Sequence, residues 1–237
     1  MQNRTLIVTG AAGALGAALS GAACARGWNV VMVDKNRAAL ERAFDAIGDG
    51  AGGEPVMYPA DLAGMTPDEV DELLETVRGA YGGLDAIVHC AVHFDGLTPL
   101  EHFDPVEWLM HLQVNLNAAW LLTARALPLL RAAPGGKVAF LLEDLEKVGG
   151  PLWGAYGVSK HALAALVRQL AAETASSGIE VRGVNPGAMR SAIRARVYHS
   201  ENPQQPPDPS VAAGRFVDWL DERVRWPDVM VDLRGAD

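Results

Sequence analysis

Tyr156 and Lys160 lie four positions apart and have side chains that could together move a proton to or from a substrate. They stand at the start of a long alanine-rich stretch with a helical pattern, and this spacing places both side chains on one helical face. An ammonium group beside a phenol favours the phenolate and lowers the pKa of the tyrosine. Such a tyrosine can deliver or remove a hydroxyl proton, which is general acid–base chemistry.

A glycine-rich turn near the start of the chain could bind the phosphates of a dinucleotide. The apolar run Thr5–Thr9 leads into Gly10-Ala-Ala-Gly13-Ala-Leu15-Gly16, and an alanine-rich helical pattern follows directly. Glycines permit the tight turn and let the backbone approach a pyrophosphate, while the helix N-terminus offers free N–H groups. The alternative is that the glycines serve only the turn. The strand before and the helix after favour a dinucleotide site, whose nicotinamide would carry a hydride.

An acidic residue at the end of the second apolar run bears on which dinucleotide binds. Asp34 can accept hydrogen bonds from both ribose hydroxyls, and its charge repels a 2′-phosphate. Gly13 offers no basic side chain to such a phosphate. We therefore expect NAD to be preferred over NADP. Lys35 and Arg37 follow directly and could weaken the preference for NAD over NADP, or they could be solvated residues that open the next helix.

Short apolar runs alternate with longer helical patterns along the chain. The predicted strands are Thr5–Thr9, Val30–Asp34, Val56–Pro59, Ala86–His89, Lys137–Leu142, Val181–Asn185 and an edge strand at Val229–Val231. The predicted helices cover residues 14–26, 37–47, 66–80, 105–131 and 152–176, and Ser210–Glu222. Strands without internal alternation, each followed by a helix, indicate an α/β fold with a doubly wound parallel sheet. We expect a single Rossmann domain over residues 1–237.

Composition and charge narrow the class of protein. Of the 237 residues, 49% are hydrophobic and 21% are charged, so the chain can bury a core. The formal net charge is −9 and no cluster of lysines and arginines stands out, which argues against a nucleic-acid partner. The N-terminus lacks the apolar region of a signal peptide, and no apolar run reaches membrane-spanning length. We expect a cytoplasmic protein without a nucleic-acid or membrane partner.

Two helical stretches are apolar on more than one side. Trp108–Leu130 and Val158–Ala172 leave little polar face. A helix packed on a sheet needs only one apolar stripe, so a second stripe indicates another partner. We expect a homodimer or homotetramer formed through the helices near 105–131 and 152–176. The alternative is that both helices are deeply buried in a monomer.

A polar, proline-rich stretch, His199–Ser210, is predicted to be an irregular loop. It continues a segment from residue 187 that could act as a flap over a small-molecule substrate, so we assign a substrate loop to residues 187–210. The alternative is a plain surface connection. Residues expected to line the substrate pocket are Trp153, Met189, Arg190, Arg194 and Tyr198.

In these features the sequence resembles the short-chain dehydrogenase/reductase family, and the resemblance spans nearly the whole chain. It is carried by the glycine turn, Asp34, Asp61-Leu62, Val114-Asn115-Leu116, Tyr156 with Lys160, and Asn185-Pro186-Gly187. The resemblance implies that Asp61 and Leu62 bracket the adenine of the cofactor. It also implies that Pro186 and Gly187 lie along the nicotinamide side.

The resemblance further implies roles around the proton transfer. Tyr156 would be the acid/base, and Lys160 would tune its pKa and anchor the ribose. Asn115 would kink its helix and hold a water that relays protons to Lys160. On the residues alone, Asn115 could equally be an ordinary polar residue in a helix.

Two departures from the family pattern concern the cofactor site. The family usually has a further glycine where this chain has Ala14, and Gly13 precedes it, a spacing that still meets the backbone requirement. The family's NNAG motif appears as His89-Cys90-Ala91-Val92, which keeps an apolar wall near the adenine. We expect His89 and His93 to be structural, and we expect no metal site.

The third departure concerns catalysis. The family's serine lies thirteen residues before the tyrosine, where this chain has Glu143. A serine hydroxyl donates a hydrogen bond to the substrate oxygen, whereas an ionised glutamate only accepts, and its charge raises the pKa of the tyrosine. The glutamate could still be protonated, pair with a cationic substrate, or pair with Arg190 or Arg194.

Two functions therefore fit the sequence. The first is an NAD(H)-dependent oxidoreductase that interconverts an alcohol and a carbonyl on a small organic substrate, with Glu143 as an unusual group facing the substrate. The second is a dinucleotide-binding protein with little or no dehydrogenase activity, acting as a sensor or as a subunit of an assembly. Tyr156 and Lys160 favour the enzyme, because a protein that only binds the cofactor has less need of the phenol.

Overall fold

Seven short runs of mostly aliphatic residues form one parallel sheet in the computed structural model, which describes residues 4–48 and 50–234. The strands are β1 (Thr5–Thr9), β2 (Asn29–Asp34), β3 (Pro55–Pro59), β4 (Ala86–His89), β5 (Lys137–Leu141), β6 (Glu180–Asn185) and β7 (Met230–Asp232). Their order across the sheet is β3-β2-β1-β4-β5-β6-β7, and all neighbours are parallel. The predicted strands are confirmed, with ends shifted by one residue in β2, β3, β5, β6 and β7.

The described residues form nine α-helices between and after the strands. They are α1 (Ala14–Ala25), α2 (Arg37–Asp45), α3 (Pro67–Tyr81), α4 (Pro105–Leu112), α5 (Ala118–Ala132), α6 (Leu145–Val148), α7 (Gly154–Thr174), α8 (Ala192–Val197) and α9 (Pro209–Leu220). Several begin at side chains that cap the free N–H groups of the first turn. Thr66 and Glu69 form a capping box on α3, while Asp104 caps α4 and Asp208 caps α9.

The helices cover the sheet on both faces, as the unbroken apolar strands require. On one face, residues such as Ile7, Ile87 and Phe140 pack in a core with apolar side chains of α3, α5 and α7. On the other face, Leu6 and Val88 belong to a second core that includes residues of α1 and α9. This arrangement confirms the doubly wound Rossmann fold in a single domain.

The stretch predicted as one helix over residues 105–131 is divided in the structure. The helix α4 ends at Leu112, a π turn covers Gln113–Asn117, and α5 begins at Ala118. A π turn widens the helix locally, and such turns are frequent at functional sites. Its centre carries Asn115, the residue at which the resemblance implies a kink. The apolar pattern continues through the turn, and for this reason the sequence did not show the division.

The strand order places a ligand crevice between β1 and β4. After β1 the chain enters α1 on one face of the sheet, whereas after β4 it runs toward α4 and α5 on the other. In open parallel sheets this divergence leaves a crevice outside the carboxyl ends of the strands, where ligands bind. Gly10 directly follows β1, and Ala91 lies two residues after β4. The predicted glycine turn is therefore at the mouth of the crevice.

The segment predicted as a substrate loop contains a short helix. Ser191 accepts a hydrogen bond from the backbone N–H of Arg194 and starts α8, which the sequence did not predict. The following polar stretch is irregular up to the start of α9, as predicted. No helix formed by residues 4–48 and 50–234 is long and apolar enough to cross a membrane.

Candidate active site

The glycine turn brings the backbone of the first crossover close to the end of β4. Gly10 has a φ of +67°, and a Cβ atom built there would lie 2.6 Å from the backbone of Ala91. A Cβ atom on Gly16 would lie 2.2 Å from the carbonyl oxygen of Gly10. Gly13 caps α1 without a side-chain hydrogen bond, so the first N–H groups of the helix face the crevice without a side chain over them. This bare helix N-terminus suits a pyrophosphate.

Asp34 ends β2 with its carboxylate turned toward the glycine turn. One oxygen accepts a hydrogen bond from the backbone N–H of Ala12 at 3.0 Å, and the other accepts from Asn36 at 2.9 Å. Both bonds hold the carboxylate beside the glycine turn, and its binding of the ribose hydroxyls stays a prediction. Lys35 is exposed beside it, and Arg37 pairs with Glu41 at 3.0 Å. Arg37 is thus one of the solvated residues that open the next helix.

A small cavity of about 80 Å³ lies between Asp34 and the residues expected around the adenine. Its walls include Asp61, Leu62, Ala91 and Val114. The Asp61 carboxylate accepts a hydrogen bond from the N–H of Ala63 at 3.0 Å, which holds this turn in place. The structure therefore brings together the residues that the resemblance assigned to the adenine.

A second cavity of about 540 Å³ continues from the glycine turn to the candidate catalytic residues. The predicted residues on its walls are Gly10, Gly13, Leu15, Gly16, Glu143, Tyr156, Lys160, Pro186 and Gly187. Four of the five residues predicted for the substrate pocket also line it, namely Trp153, Met189, Arg194 and Tyr198. The two cavities share Gly10 and Val92, so the adenine side and the reaction side meet at one point.

Tyr156 and Glu143 form a hydrogen-bonded pair in the larger cavity. The phenol oxygen donates to Glu143 Oε1 at 2.8 Å, and Phe94 packs edge-on against the phenol ring. Burial raises the pKa of Tyr156 well above its usual value, and the charge and hydrogen bond of Glu143 raise it further. Any lowering of the Tyr156 pKa by Lys160 is therefore smaller than the increase caused by burial and Glu143. The tyrosine is held in its protonated form.

Lys160 lies one helical turn from Tyr156 and is almost fully buried. Its ammonium donates to the carbonyl of Leu141 at 2.7 Å and lies 5.5 Å from the centroid of the Tyr156 ring. Burial lowers the pKa of Lys160 from 10.5 to about 8, although Glu143 and Cys90 oppose the change. At neutral pH the lysine is still mainly charged, so it can supply a positive charge to the ribose side of the site.

Asn115 joins three backbone segments behind the catalytic pair. Its amide nitrogen donates to the carbonyl of His93 at 3.0 Å and to Ser159 Oγ at 3.1 Å, and its oxygen accepts from the N–H of His93 at 2.6 Å. The Ser159 hydroxyl in turn donates to the carbonyl of Tyr156 at 2.7 Å. Asn115 thus holds the start of α7 in register with the segment after β4. The water relay to Lys160 stays a prediction.

The arginines proposed as partners of Glu143 bind elsewhere. Arg190 pairs with Asp208 at 2.6 Å, and Arg194 pairs with Glu201 at 2.6 Å. Within residues 4–48 and 50–234, the one hydrogen-bonded partner of the Glu143 carboxylate is Tyr156. The pairing of Glu143 with either arginine was therefore wrong.

Arg234 is a site residue that the sequence did not indicate. It follows β7, pairs with Asp144 and Asp232, and lines the larger cavity beside Gly187. Gly187 has a φ of +79°, and a Cβ atom there would lie 3.3 Å from Arg234 Cγ. No local pattern marks Arg234, because its proximity depends on the pairing of β7 with β6.

Several known proteins are similar to this chain in sequence and fold. A family model described as short chain dehydrogenase matches residues 4–202. The uncharacterized oxidoreductase YciK of Escherichia coli strain K12 is 29% identical over 205 residues, which is 86% of this chain and 81% of that protein. A structure described as a short chain dehydrogenase from Pseudomonas syringae is 31% identical, with a TM-score of 0.90 and coverage of 98% and 94%. Another from Shigella flexneri, complexed with NADP, is 27% identical, with a TM-score of 0.91 and coverage of 99% and 98%.

Proposed function

The chain belongs to the short-chain dehydrogenase family, and from this premise we propose that it interconverts an alcohol and a carbonyl on a small organic substrate with NAD(H). Members of this family bind a nicotinamide dinucleotide and are oxidoreductases. The observation that carries the proposal is the position of Tyr156 and Lys160 in the cavity that continues from the glycine turn. Cofactor binding and proton transfer then share one continuous site.

The described residues fit the cofactor. The crevice between β1 and β4 is open to a pyrophosphate because glycines stand where a Cβ atom would meet backbone. We assign Asp34 to the adenosine ribose, Asp61 and Leu62 to the adenine, and Pro186 and Gly187 to the nicotinamide side. When bound, the nicotinamide supplies or accepts the hydride.

The proton path runs through Tyr156 to Glu143. For carbonyl reduction, the phenol donates its proton to the substrate oxygen while a protonated Glu143 returns a proton to the phenol oxygen. For alcohol oxidation, the phenol oxygen takes the substrate proton while its own proton passes to the Glu143 carboxylate. This exchange avoids free phenolate, which the high pKa of Tyr156 disfavours. Glu143 is thus the second proton-carrying group, after Tyr156.

A panel of aldehydes, ketones and alcohols tests the proposed function. We expect nicotinamide absorbance to change with at least one member of the panel. If no member of a broad panel changed the nicotinamide absorbance, although NADH bound tightly, the second candidate function would be favoured. That function is a dinucleotide-binding protein with little dehydrogenase activity. The carboxylate at position 143 is the observation behind that candidate, because it adds negative charge where the family places a hydroxyl donor.

The preference for NAD rests on the fixed carboxylate of Asp34. A 2′-phosphate would lie beside this charge, and like charges brought together cost several kcal/mol. We expect Asp34→Asn to raise the ratio of NADPH to NADH affinity at least about tenfold, since each tenfold change corresponds to about 1.4 kcal/mol. Titration of each nucleotide by fluorescence or calorimetry measures the ratio.

Asp45→Asn is the matched control for Asp34→Asn, because it removes the same charge from an exposed position at the end of α2. We expect it to leave the ratio unchanged. If the unaltered protein binds NADPH more tightly than NADH, the preference for NAD is wrong. Because the similar structure from Shigella flexneri is complexed with NADP, this ratio is the measurement that decides between NAD and NADP for this chain.

A homodimer or homotetramer remains our proposal for the assembly. Large apolar side chains are exposed on and near the helices expected to self-associate, namely Leu100, Val106, Leu109, Trp120 and Val158. We expect Leu109→Glu to shift the sedimentation coefficient toward that of a smaller species. Val211→Glu on α9, which adds the same charge at another exposed apolar position, should not do so. A monomeric parent protein at micromolar concentration would contradict the proposal.

A further inference from the structure

Three side chains that take no part in the proposed proton transfer meet where the segment after β4 packs against α4, and one of them, His93, also lines the smaller cavity. His93 belongs to that segment, while Glu107 and His111 lie one turn apart on α4. One potential ligand atom from each of the three residues lies within 4.8 Å of the other two. His93 Nε2 lies 2.7 Å from Glu107 Oε2, and the rings of His93 and His111 meet edge-on with centroids 4.5 Å apart.

His111 contributes a lone pair that no described group uses. The side chain is fully buried, and its Nδ1 atom lies 2.7 Å from the backbone carbonyl of Glu107. A carbonyl oxygen only accepts, so Nδ1 carries the proton and Nε2 is left with a lone pair. Among the described residues, Nε2 of His111 is a buried atom without a hydrogen-bond partner. Leaving such an acceptor unpaired costs free energy, which a ligand at this position would recover.

We propose that His93, Glu107 and His111 form a binding site for a divalent transition-metal ion, with Zn²⁺ as the best fit. Two imidazole nitrogens and one carboxylate oxygen are donors that suit Zn²⁺, and a water would complete four-coordination. The bond from His111 Nδ1 to a backbone carbonyl is the second contact that metal-binding histidines usually make. It leaves Nε2 as the nitrogen available to bind the ion.

The distances require only side-chain movement to reach coordination geometry. Zinc bonds of about 2.0–2.1 Å at tetrahedral angles separate ligand atoms by about 3.3 Å. The contact of 2.7 Å between His93 and Glu107 must therefore open slightly, and the widest separation, within 4.8 Å, must close. The side chains of His93 and Glu107 are 22% and 38% exposed, so neither is fully enclosed by the protein.

The charge at this site suits a dication. Within the described part of the chain, the Glu107 carboxylate pairs with His93 alone, so no lysine or arginine competes for it. The exposed Asp95 carboxylate adds negative charge near His111. A bound ion would tie the segment after β4 to α4. That segment also carries Val92, a wall of both cavities, and the backbone of His93 is already held by Asn115.

From the sequence, His89 and His93 were both expected to be structural, and no metal site was expected. His89 and His93 are close in sequence, yet His89 turns inward to Thr123 at 2.8 Å and stacks on Phe140. The predicted structural role fits His89. The partners of His93 come from α4, fourteen and eighteen residues further on, and the spacing of Glu107 and His111 alone is common in helices.

Calorimetric titration of the full chain with Zn²⁺, after EDTA treatment and without an affinity tag, tests the proposal. We expect saturable binding of one ion per chain. Glu107→Gln and His111→Gln should each weaken the affinity at least about tenfold. His102→Gln, which removes an exposed histidine from the turn before α4, should leave the affinity unchanged.

Glu107→Gln is expected to fold, because a partly exposed glutamine can keep the hydrogen bond to His93. Weaker Zn²⁺ binding by this variant therefore does not reflect misfolding. We expect Zn²⁺ to raise the thermal midpoint of the parent protein and of His102→Gln, but not that of folded Glu107→Gln. Absence of saturable binding to the parent would overturn the proposal. Equal affinity in the parent, Glu107→Gln and His111→Gln, or an equal loss in His102→Gln, would also overturn it.

Discussion

Tyr156→Phe is expected to lower turnover by about 10²- to 10⁴-fold, the range that a positioned acid or base contributes. The substitution removes one hydroxyl and keeps the ring that packs against Phe94. The affinity for NADH should change little, because the phenol oxygen is bound to Glu143 and not to the glycine turn. Steady-state rates and nucleotide titration, on a substrate that the parent protein converts, separate the two effects.

Tyr58→Phe is the matched control for Tyr156→Phe. Tyr58 lies in β3, away from the larger cavity, and loses the same hydroxyl. We expect parent-like turnover from this variant. If Tyr156→Phe retained parent-like turnover, Tyr156 would not be the acid/base and the proton path through it would be wrong.

Glu143→Gln is expected to lower the rates of alcohol oxidation and carbonyl reduction about 10²-fold or more at neutral pH, because the proton passes through Glu143 in both directions. Glutamine has nearly the shape of glutamate but cannot take up the proton that leaves Tyr156. Loss of the negative charge also lowers the pKa of Tyr156, because Glu143 is one of the groups that raise it. Phenolate then forms more readily as pH rises, so the oxidation deficit should shrink at alkaline pH.

Rates of oxidation and reduction measured across a pH series check this second prediction. Glu146→Gln is the control, since it makes the same change at an exposed position on α6. Unchanged oxidation in Glu143→Gln would remove Glu143 from the proton path. If Glu143→Ser were active where the parent is not, the dinucleotide-binding function would be favoured instead.

The strands and the residues that line the two cavities could be predicted because their signals are local. A parallel strand buried on both faces is a continuous apolar run, and the glycine turn, Asp34 and Tyr156 each stand beside such a run or at the start of a helix. Strand order then brings these separate positions to one edge of the sheet. The resemblance added Asp61, Leu62, Pro186 and Gly187, all of which line the two cavities.

Features that depend on contacts across the fold could not be predicted. The π turn at Asn115 lies within an apolar stretch whose periodicity barely changes, and α8 is a six-residue helix inside a polar loop. The position of Glu143 was clear, but its hydrogen bond to Tyr156 and the absence of an arginine partner depend on packing around α7. Arg234 reaches the site only through the pairing of β7 with β6.

Transfer of deuterium from NADH labelled at the nicotinamide C4 position tests the central claim most directly. The label is followed by mass spectrometry of the products from a panel of carbonyl compounds. The account predicts that at least one product carries deuterium at the former carbonyl carbon, and that Tyr156→Phe slows this transfer by about 10²- to 10⁴-fold while NADH still binds. Tight binding of NADH without deuterium in any product would contradict it.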